Sequence, residues 1–457
     1  MKTIRIGNGA GFWGDNLDAP RLLAEAGRLD YLTLEYLAEL TMSILAYQKS
    51  RNPQVGYVTD FPGVLRTVIP SLSSQARLKI VTNAGGMNPT GCAREASEVL
   101  ASAGMRDLGV AAVGGDDLFP HLDRCMEAGE SFSNFETGEP FATVRQKLVS
   151  ANVYLGARGI VDALSEGARI VITGRVADAS LTVGPAVHEH AWQWNDWQHL
   201  AQATVAGHLI ECGAQATGGM YSDWTPEISI ADVGYPIAEV EENGGVTITK
   251  PEGTGGAVTV GTVSEQLVYE IGDPAHYLTP DVDTDFTNVR LTQSSTNHVR
   301  VEGANGNPAP DRYKVSMAYH DGYTAAGTLV LSGRNAERNA RHAADAILAR
   351  LKRAGYTYAR TNVECVGTGD SLPGIWPRSE HPWEVLVRIS VHDPSREAVE
   401  RFAGELAPLV TAGPPGVTGY ANARPRPRPV LSFWPTTISR ELVAPVTTVK
   451  SAKEWLT

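Results

Sequence analysis

Within its first 180 residues the chain repeats one grammar: a short apolar strand, a glycine-rich polar loop, then a helix. The clearest copy is Ala168–Ser180, ARIVITGRVADAS. Ile170-Val171-Ile172 is a β-branched run suited to a strand buried on both faces. Gly174 stops it, and Arg175, Asp178 and Ser180 follow at once. Thr3–Ile6 runs into Gly7-Asn8-Gly9-Ala10-Gly11, Leu78–Thr82 into Asn83-Ala84-Gly85-Gly86, and Leu108–Val113 into Gly114-Gly115-Asp116-Asp117. Tyr31–Leu34 is a further strand, ending at Glu35. Helical stretches at 17–26, 92–103 and 149–166 lie between them. Such alternation implies a mostly parallel sheet with right-handed crossovers. Open sheets of this kind hold ligands outside the carboxyl ends of their strands, and glycine lets a backbone approach a ligand closely. The polar loops therefore converge on one sheet edge.

From about residue 285 the grammar changes. Strands at 288–302 and 313–331 precede an amphipathic helix at 336–353. Strands at 361–366 and 385–391 and a helix at 395–410 follow. The expected fold class is α/β, with a mostly parallel sheet in the N-terminal half and an α+β, ββαββα-like domain in the C-terminal half. The expected division is an α/β domain over 1–225, a connector with β structure over 226–283 and the α+β domain over 284–457. Trp192, Trp194 and Trp197 are expected to pack a domain or subunit interface. The Arg424–Pro429 run reads as extended polyproline-like chain packed on its own domain or a sister subunit.

The 457 residues are 42% hydrophobic and 20% charged, the composition of a soluble globular protein with a large core. The net charge of −12 leaves no basic face for nucleic acid. The cysteines Cys92, Cys125, Cys212 and Cys365 are far apart and form no C-x-x-C, which points to reduced thiols in a cytoplasm rather than a disulfide framework or a structural zinc. The sequence carries no apolar leader and no run of 18 apolar residues.

A second chemical stretch is Gly207–Gln215, on a helix capped by Asn195 or Asp196 and running to about Gln215. His208, Glu211, Cys212 and Gln215 then share one face at i, i+3, i+4 and i+7. Cys212 stands where an H-x-x-E-H zinc site needs its second histidine, so no metal is expected. His188-Glu189-His190 reads as solvated surface. Gly9-x-Gly11-x-x-Gly14 followed by Glu35 has the outline of a dinucleotide fingerprint, but Asp15 would repel a pyrophosphate. Gly253-Thr254-Gly255-Gly256 near a helix start suits an anion and lacks the lysine of a P-loop.

GNGAGFWGD (7–15), DYLTLEYLAELTMSIL (30–45), VTNAGGMNP (81–89), ITGRVADASLTVGP (172–185) and GHLIECGAQATGG (207–219) resemble the AtuA-like acyclic terpene utilisation family. GTGGAVTVGTVSEQLVYEIG (253–272) and GPPGVTGYANARPRPR (413–428) match its style, so the resemblance covers nearly the whole chain. It implies bacterial catabolism of branched terpenoid acids through coenzyme A thioesters. Some relatives carry an additional small C-terminal domain that this chain is expected to lack, which implies a separate small subunit for any role of that domain.

With that setting, the residues favour a hydratase/dehydratase-like lyase or an isomerase on a branched or unsaturated carboxylic acid or its CoA thioester. Asp178, Glu211 and His208 are the candidate acid and base. Arg175 is the candidate grip on a carboxylate, which its planar fork suits. Gly11, Asp15, Asn16, Asn83, Gly85, Gly86, Asp116 and Gln215 are the candidate substrate-binding residues, with loop amides as oxyanion donors. No cofactor is required. The partners expected are a small-molecule substrate and further copies of the chain, without nucleic acid or membrane. The alternatives are a dinucleotide-dependent oxidoreductase and a non-catalytic ligand-binding or scaffold subunit of a catabolic complex.

Overall fold

Five parallel strands form the centre of the fold: β1 (Thr3–Asn8), β2 (Tyr31–Leu34), β3 (Lys79–Thr82), β4 (Gly109–Gly114) and β5 (Ile170–Thr173). The computed structural model that shows them describes residues 2–375, 377–379, 381–420 and 423–457. Their order across the sheet is β1-β2-β3-β5-β4, each pair parallel. All four residues of β2 and all four of β5 are buried, as strands covered on both faces require.

The connecting helices begin where local chemistry favours it. Pro20 sits in the first turn of Ala19–Ala26. The Asn88 side chain accepts from Gly91 N at 3.0 Å, and Pro89 opens the helix Pro89–Ser102, three residues earlier than expected. Asp196 caps Trp197–Glu211. The stretch 149–166 is not one helix. It splits into a strand, Leu148–Val153, and a helix, Arg158–Ser165. The break contains Gly156, where a Cβ would stand 2.3 Å from Asp281 Oδ1.

The N-terminal half thus contributes the expected parallel strands, and antiparallel strands from later in the chain extend them into a mixed sheet. Ile237–Glu241 pairs antiparallel with β1, and Val246–Thr249, His298–Glu302 and Arg290–Ser295 continue that edge. Val446–Ser451 pairs antiparallel with β4 and closes the other edge, giving ten strands. The supposed connector at 226–283 thus supplies sheet strands. The stretch 288–302 is a hairpin turned at Asn297, whose φ of 58° suits a tight turn.

The chain divides into two compact units, Met1–Ala318 with Phe433–Thr457, and Tyr319–Ser432. Residues 290–302 and 446–451 pair into the large sheet and so fall in the first unit. The second unit has an antiparallel sheet in which Arg360–Val366 pairs Glu384–Asp393, which pairs Tyr323–Ser332 at the end of the strand Arg312–Ser332, beside Val417–Tyr420. Helix Ala336–Arg353 covers it through Ala340, Ala344, Ile347 and Leu351, all buried. In the first unit Trp192 is buried, stacked between His190 and His199, and Arg158 lies over the Trp194 ring. No described helix is long and apolar enough to cross a membrane.

Candidate functional site

Each parallel strand delivers a polar residue to the same sheet edge: Asn8 at the end of β1, Glu35 after β2, Asn83 after β3, Asp116 after β4 and Arg175 after β5. All five side chains are buried. Asp116 sets the position of the Arg175 loop. It accepts from Arg175 N at 3.0 Å and from Asn152 Nδ2 at 2.8 Å. Gly174 makes room, since a Cβ there would lie 2.3 Å from Asp116 Oδ1. Burial, first of all, pushes the Asp116 carboxyl up to about 6 against those two hydrogen bonds.

Arg175 is 2% exposed and stands at the middle of the cluster. Its Nη1 donates to Asp178 Oδ1 at 2.6 Å and to the Leu37 carbonyl at 3.2 Å. Its guanidinium lies 4.1 Å from the centre of the Tyr154 ring. Burial opposes its charge, but Asp178, Tyr154 and Glu35 outweigh that and hold it firmly protonated. Lys314 faces the same ring at 4.5 Å, and Glu39 bonds both the Tyr154 hydroxyl and Lys314 Nζ. Burial would raise Glu39, yet the Tyr154 hydrogen bond and the charges of Lys314 and Arg175 pull it down to about 2. The Asp178 side chain is 34% exposed, and Glu39 and Lys314 are likewise part-exposed, so this side of the cluster faces solvent.

The helix Trp197–Glu211 brings the second half of the site. Asn8 Nδ2 donates to the carbonyls of Ile210 and Glu211, both at 2.8 Å, and fastens the helix end to β1. Gly11 lets the first loop lie against the same end, since a Cβ would meet the Cys212 backbone at 2.7 Å. His208 Nδ1 and Glu211 Oε1 are 3.1 Å apart. The His208 ring packs against Tyr277 and Phe286. Burial drives the Glu211 carboxyl up to about 7. The His208 contact opposes this, and the charges of Asp178 and Glu270 add to it. Burial lowers His208, but the hydrogen bond and charge of Glu211, with the nearby Gln266 and Leu267 backbone, leave it raised. Both shifts keep a proton on the pair near neutral pH. Glu211 Oε2 is buried without a protein partner among the described residues.

Arg175, Asp178, His208, Glu211, Asn83 and Asp116 are therefore drawn into one neighbourhood. The other expected residues stand differently. Asp15 accepts from Gly11 N at 2.8 Å and from the Tyr235 hydroxyl at 2.5 Å, so it closes its own loop. Asn16 is exposed and bonds Asp18 N. Gly85 and Gly86 meet the chain itself: Cβ atoms there would lie 2.5 Å from the Thr173 carbonyl and 2.4 Å from Leu45. Gln215 leaves the helical stripe, because the helix ends at Glu211 and a 3-10 turn, Gly213–Thr217, follows a glycine at φ 60°. The first loop's amides at Gly9 and Gly11 already donate, to the Thr33 carbonyl and to Asp15. Glu35 bonds Asn83 and the Leu37 amide, the place of an interior acid rather than of a ribose partner. The 253–256 loop packs on the Thr217 carbonyl, and its Thr254 carbonyl binds Lys250 Nζ at 2.6 Å. Glu189 is no solvated residue; it joins Lys2, Lys79 and Tyr31 beneath the sheet.

Sequence reasoning missed Glu39, Tyr154, Lys314 and Tyr277. The one signal within reach was Glu35, a carboxyl at the same strand-end register as Asn83. Depressions of about 530 Å³ beside Tyr57, Asp60 and Arg66 and about 340 Å³ beside Lys49, Met87 and Phe119 open elsewhere, and neither is lined by Asp178 or Glu211. Among the described residues no three His, Cys, Asp or Glu side chains are grouped to hold a metal. No curated protein and no solved structure matches the chain. The family model described as acyclic terpene utilisation family protein AtuA matches residues 4–449, nearly the full length, and places this chain in that family.

Proposed function

We propose that the protein is a cytoplasmic catabolic enzyme of acyclic terpene utilisation, a hydratase/dehydratase-like lyase or an isomerase on a branched or unsaturated carboxylic acid or its CoA thioester. The family supplies the metabolic setting, acyclic terpene utilisation, and the acyl substrate is the class that fits it. The observation that carries the reaction type is the meeting of a proton-bearing His208–Glu211 pair with an ion-paired Asp178 whose charge helps to raise the Glu211 carboxyl. Hydration of a double bond conjugated to a carbonyl needs a base to take a proton from water and an acid to deliver one to the α-carbon. Asp178, on the solvent-facing side, suits the first task. Glu211, oriented by His208, suits the second, since its environment keeps it protonated where Asp178 is paired with a cation. Arg175 would stabilise the charge that develops on the acyl oxygen. None of these roles needs a cofactor. The reading adds self-association.

The test is turnover of 3-methylbut-2-enoyl-CoA, followed through loss of the conjugated enoyl absorbance, with the free acid in parallel. Asp178→Asn and Glu211→Gln should each lower the rate by about 10²-fold or more. Wild-type rates in both variants would overturn the assignment. Binding without turnover would favour a ligand-binding subunit.

A further inference from the structure

Glu35 sits where β2 ends, 4% exposed, among Asn83, Leu37, Arg175 and Asp178. Its two oxygens are treated unequally. Oε1 accepts from Asn83 Nδ2 and from the Leu37 amide at 3.0 Å. Oε2 is buried and meets no donor among the described residues. The nearby cation is shared: Arg175 Nη1 binds Asp178 at 2.6 Å, and its buried Nε has no partner among the described residues. An ionised Glu35 would be a second anion beside the one cation, itself buried with one oxygen unsolvated, an arrangement strongly disfavoured. A neutral acid removes that charge and places a hydrogen on the oxygen that lacks a donor. Burial and then the Asp178 charge act the same way, holding the carboxyl well above its usual range against Arg175, Asn83 and the Leu37 amide.

We propose that Glu35 is a further binding residue of this site, a carboxylic acid whose Oε2–H donates to the carbonyl oxygen of a bound acyl group beside Arg175. The inference rests on the acyl-compound reading given above. The hydrogen stays on Oε2 throughout, so no covalent bond forms or breaks at this residue. The hydrogen bond strengthens as negative charge develops on the acyl oxygen, which is how a neutral acid assists enolate-like states. Three carboxyls then hold three tasks: Glu35 binds the oxygen, Asp178 pairs with Arg175 on the solvent-facing side, and Glu211 carries the exchangeable proton with His208.

The experiment is infrared difference spectroscopy of wild type against Glu35→Gln at pH 7, with and without 3-methylbut-2-enoate and its CoA thioester, and calorimetry of the same probes. Glu35→Gln keeps the acceptor for Asn83 and Leu37 and retains an N–H donor. Wild type should show a protonated-carboxyl carbonyl band that the variant lacks, and a bound probe should shift it to lower frequency. Glu35→Met should bind the probe about tenfold more weakly, and Glu35→Gln nearly as well as wild type, the loss expected for one hydrogen bond. Absence of the band overturns the proposal. A band that stays put while a probe binds, or full affinity in Glu35→Met, overturns it and leaves the acyl reading standing. Failure of both probes to bind wild type overturns both.

Discussion

Replacing Glu211 by Gln should change how stability depends on pH, and the sign follows from where the proton resides. In the folded chain the Glu211 carboxyl titrates at about 7 rather than at an ordinary 4.5. Between those values the folded chain holds a proton that the unfolded chain has released, so raising the pH favours unfolding. A shift from 4.5 to about 7 corresponds to about 3 kcal/mol lost from the wild type across that window. His208 acts in the same direction, since its raised folded value contributes stability below about 6.5 that is lost as pH climbs through it. Glutamine keeps the shape and removes both effects, because the His208 shift depends on Glu211. Urea unfolding followed by tryptophan fluorescence and circular dichroism at pH 5, 6, 7 and 8 measures the difference. Glu211→Gln should gain on the wild type between pH 5 and about 7, by about 2–3 kcal/mol in total, and level off towards pH 8. A difference that is constant with pH, or that shrinks as pH rises, would refute a proton held at Glu211.

Gly174→Ala should lower stability by about 1–3 kcal/mol, because its Cβ would meet Asp116 Oδ1 at 2.3 Å, and a thermal melt unchanged from wild type would count against that packing. Glu189→Gln should destabilise the fold at neutral pH by severing Lys2, Lys79 and Tyr31. Its carboxyl is held below the usual range, burial being outweighed by those hydrogen bonds, so this contribution is present above pH 4.5 and fades as pH falls further. Equal stability of wild type and variant at pH 7 would contradict it. The Cys212 thiol, pushed up to about 12 chiefly by burial, should react with a thiol reagent at pH 7.5 only slowly in the native state and rapidly in urea.

The parts of the fold that could be read from sequence were those with local causes. Ile170-Val171-Ile172 followed by a glycine marks a buried strand and its end, and Asp196 marks a helix start, whereas the start at Asn88-Pro89 lies three residues ahead of the expected one. The strand-end rule then gathers Asn83, Asp116, Arg175 and Asp178 without further information. What escaped is pairing between distant segments. Nothing within 237–249 signals that it runs antiparallel beside β1, and nothing within 446–451 signals β4. Tyr154, Lys314 and Tyr277 reach the site only through such pairings and loops, so they carry no nearby motif. Gln215 was misplaced for a local reason: Gly213 takes a positive φ, ends the helical stripe and redirects the chain. Glu35 was visible as an acid at the right position, and only its neighbours separate an interior carboxyl from a ribose ligand.

Val446–Ser451 zips onto β4, and Trp455 donates from Nε1 to the Val110 carbonyl at 2.9 Å. During synthesis the last strand of the large sheet therefore leaves the ribosome only after the whole Tyr319–Ser432 unit has been made. Until then Gly109–Gly114, sequence GVAAVG, is a bare apolar edge, the kind that recruits stray strands. A nascent or clipped chain ending before residue 446 should be chaperone-dependent and prone to self-pairing along that edge. Supplying the 446–457 peptide in trans should restore solubility by capping it.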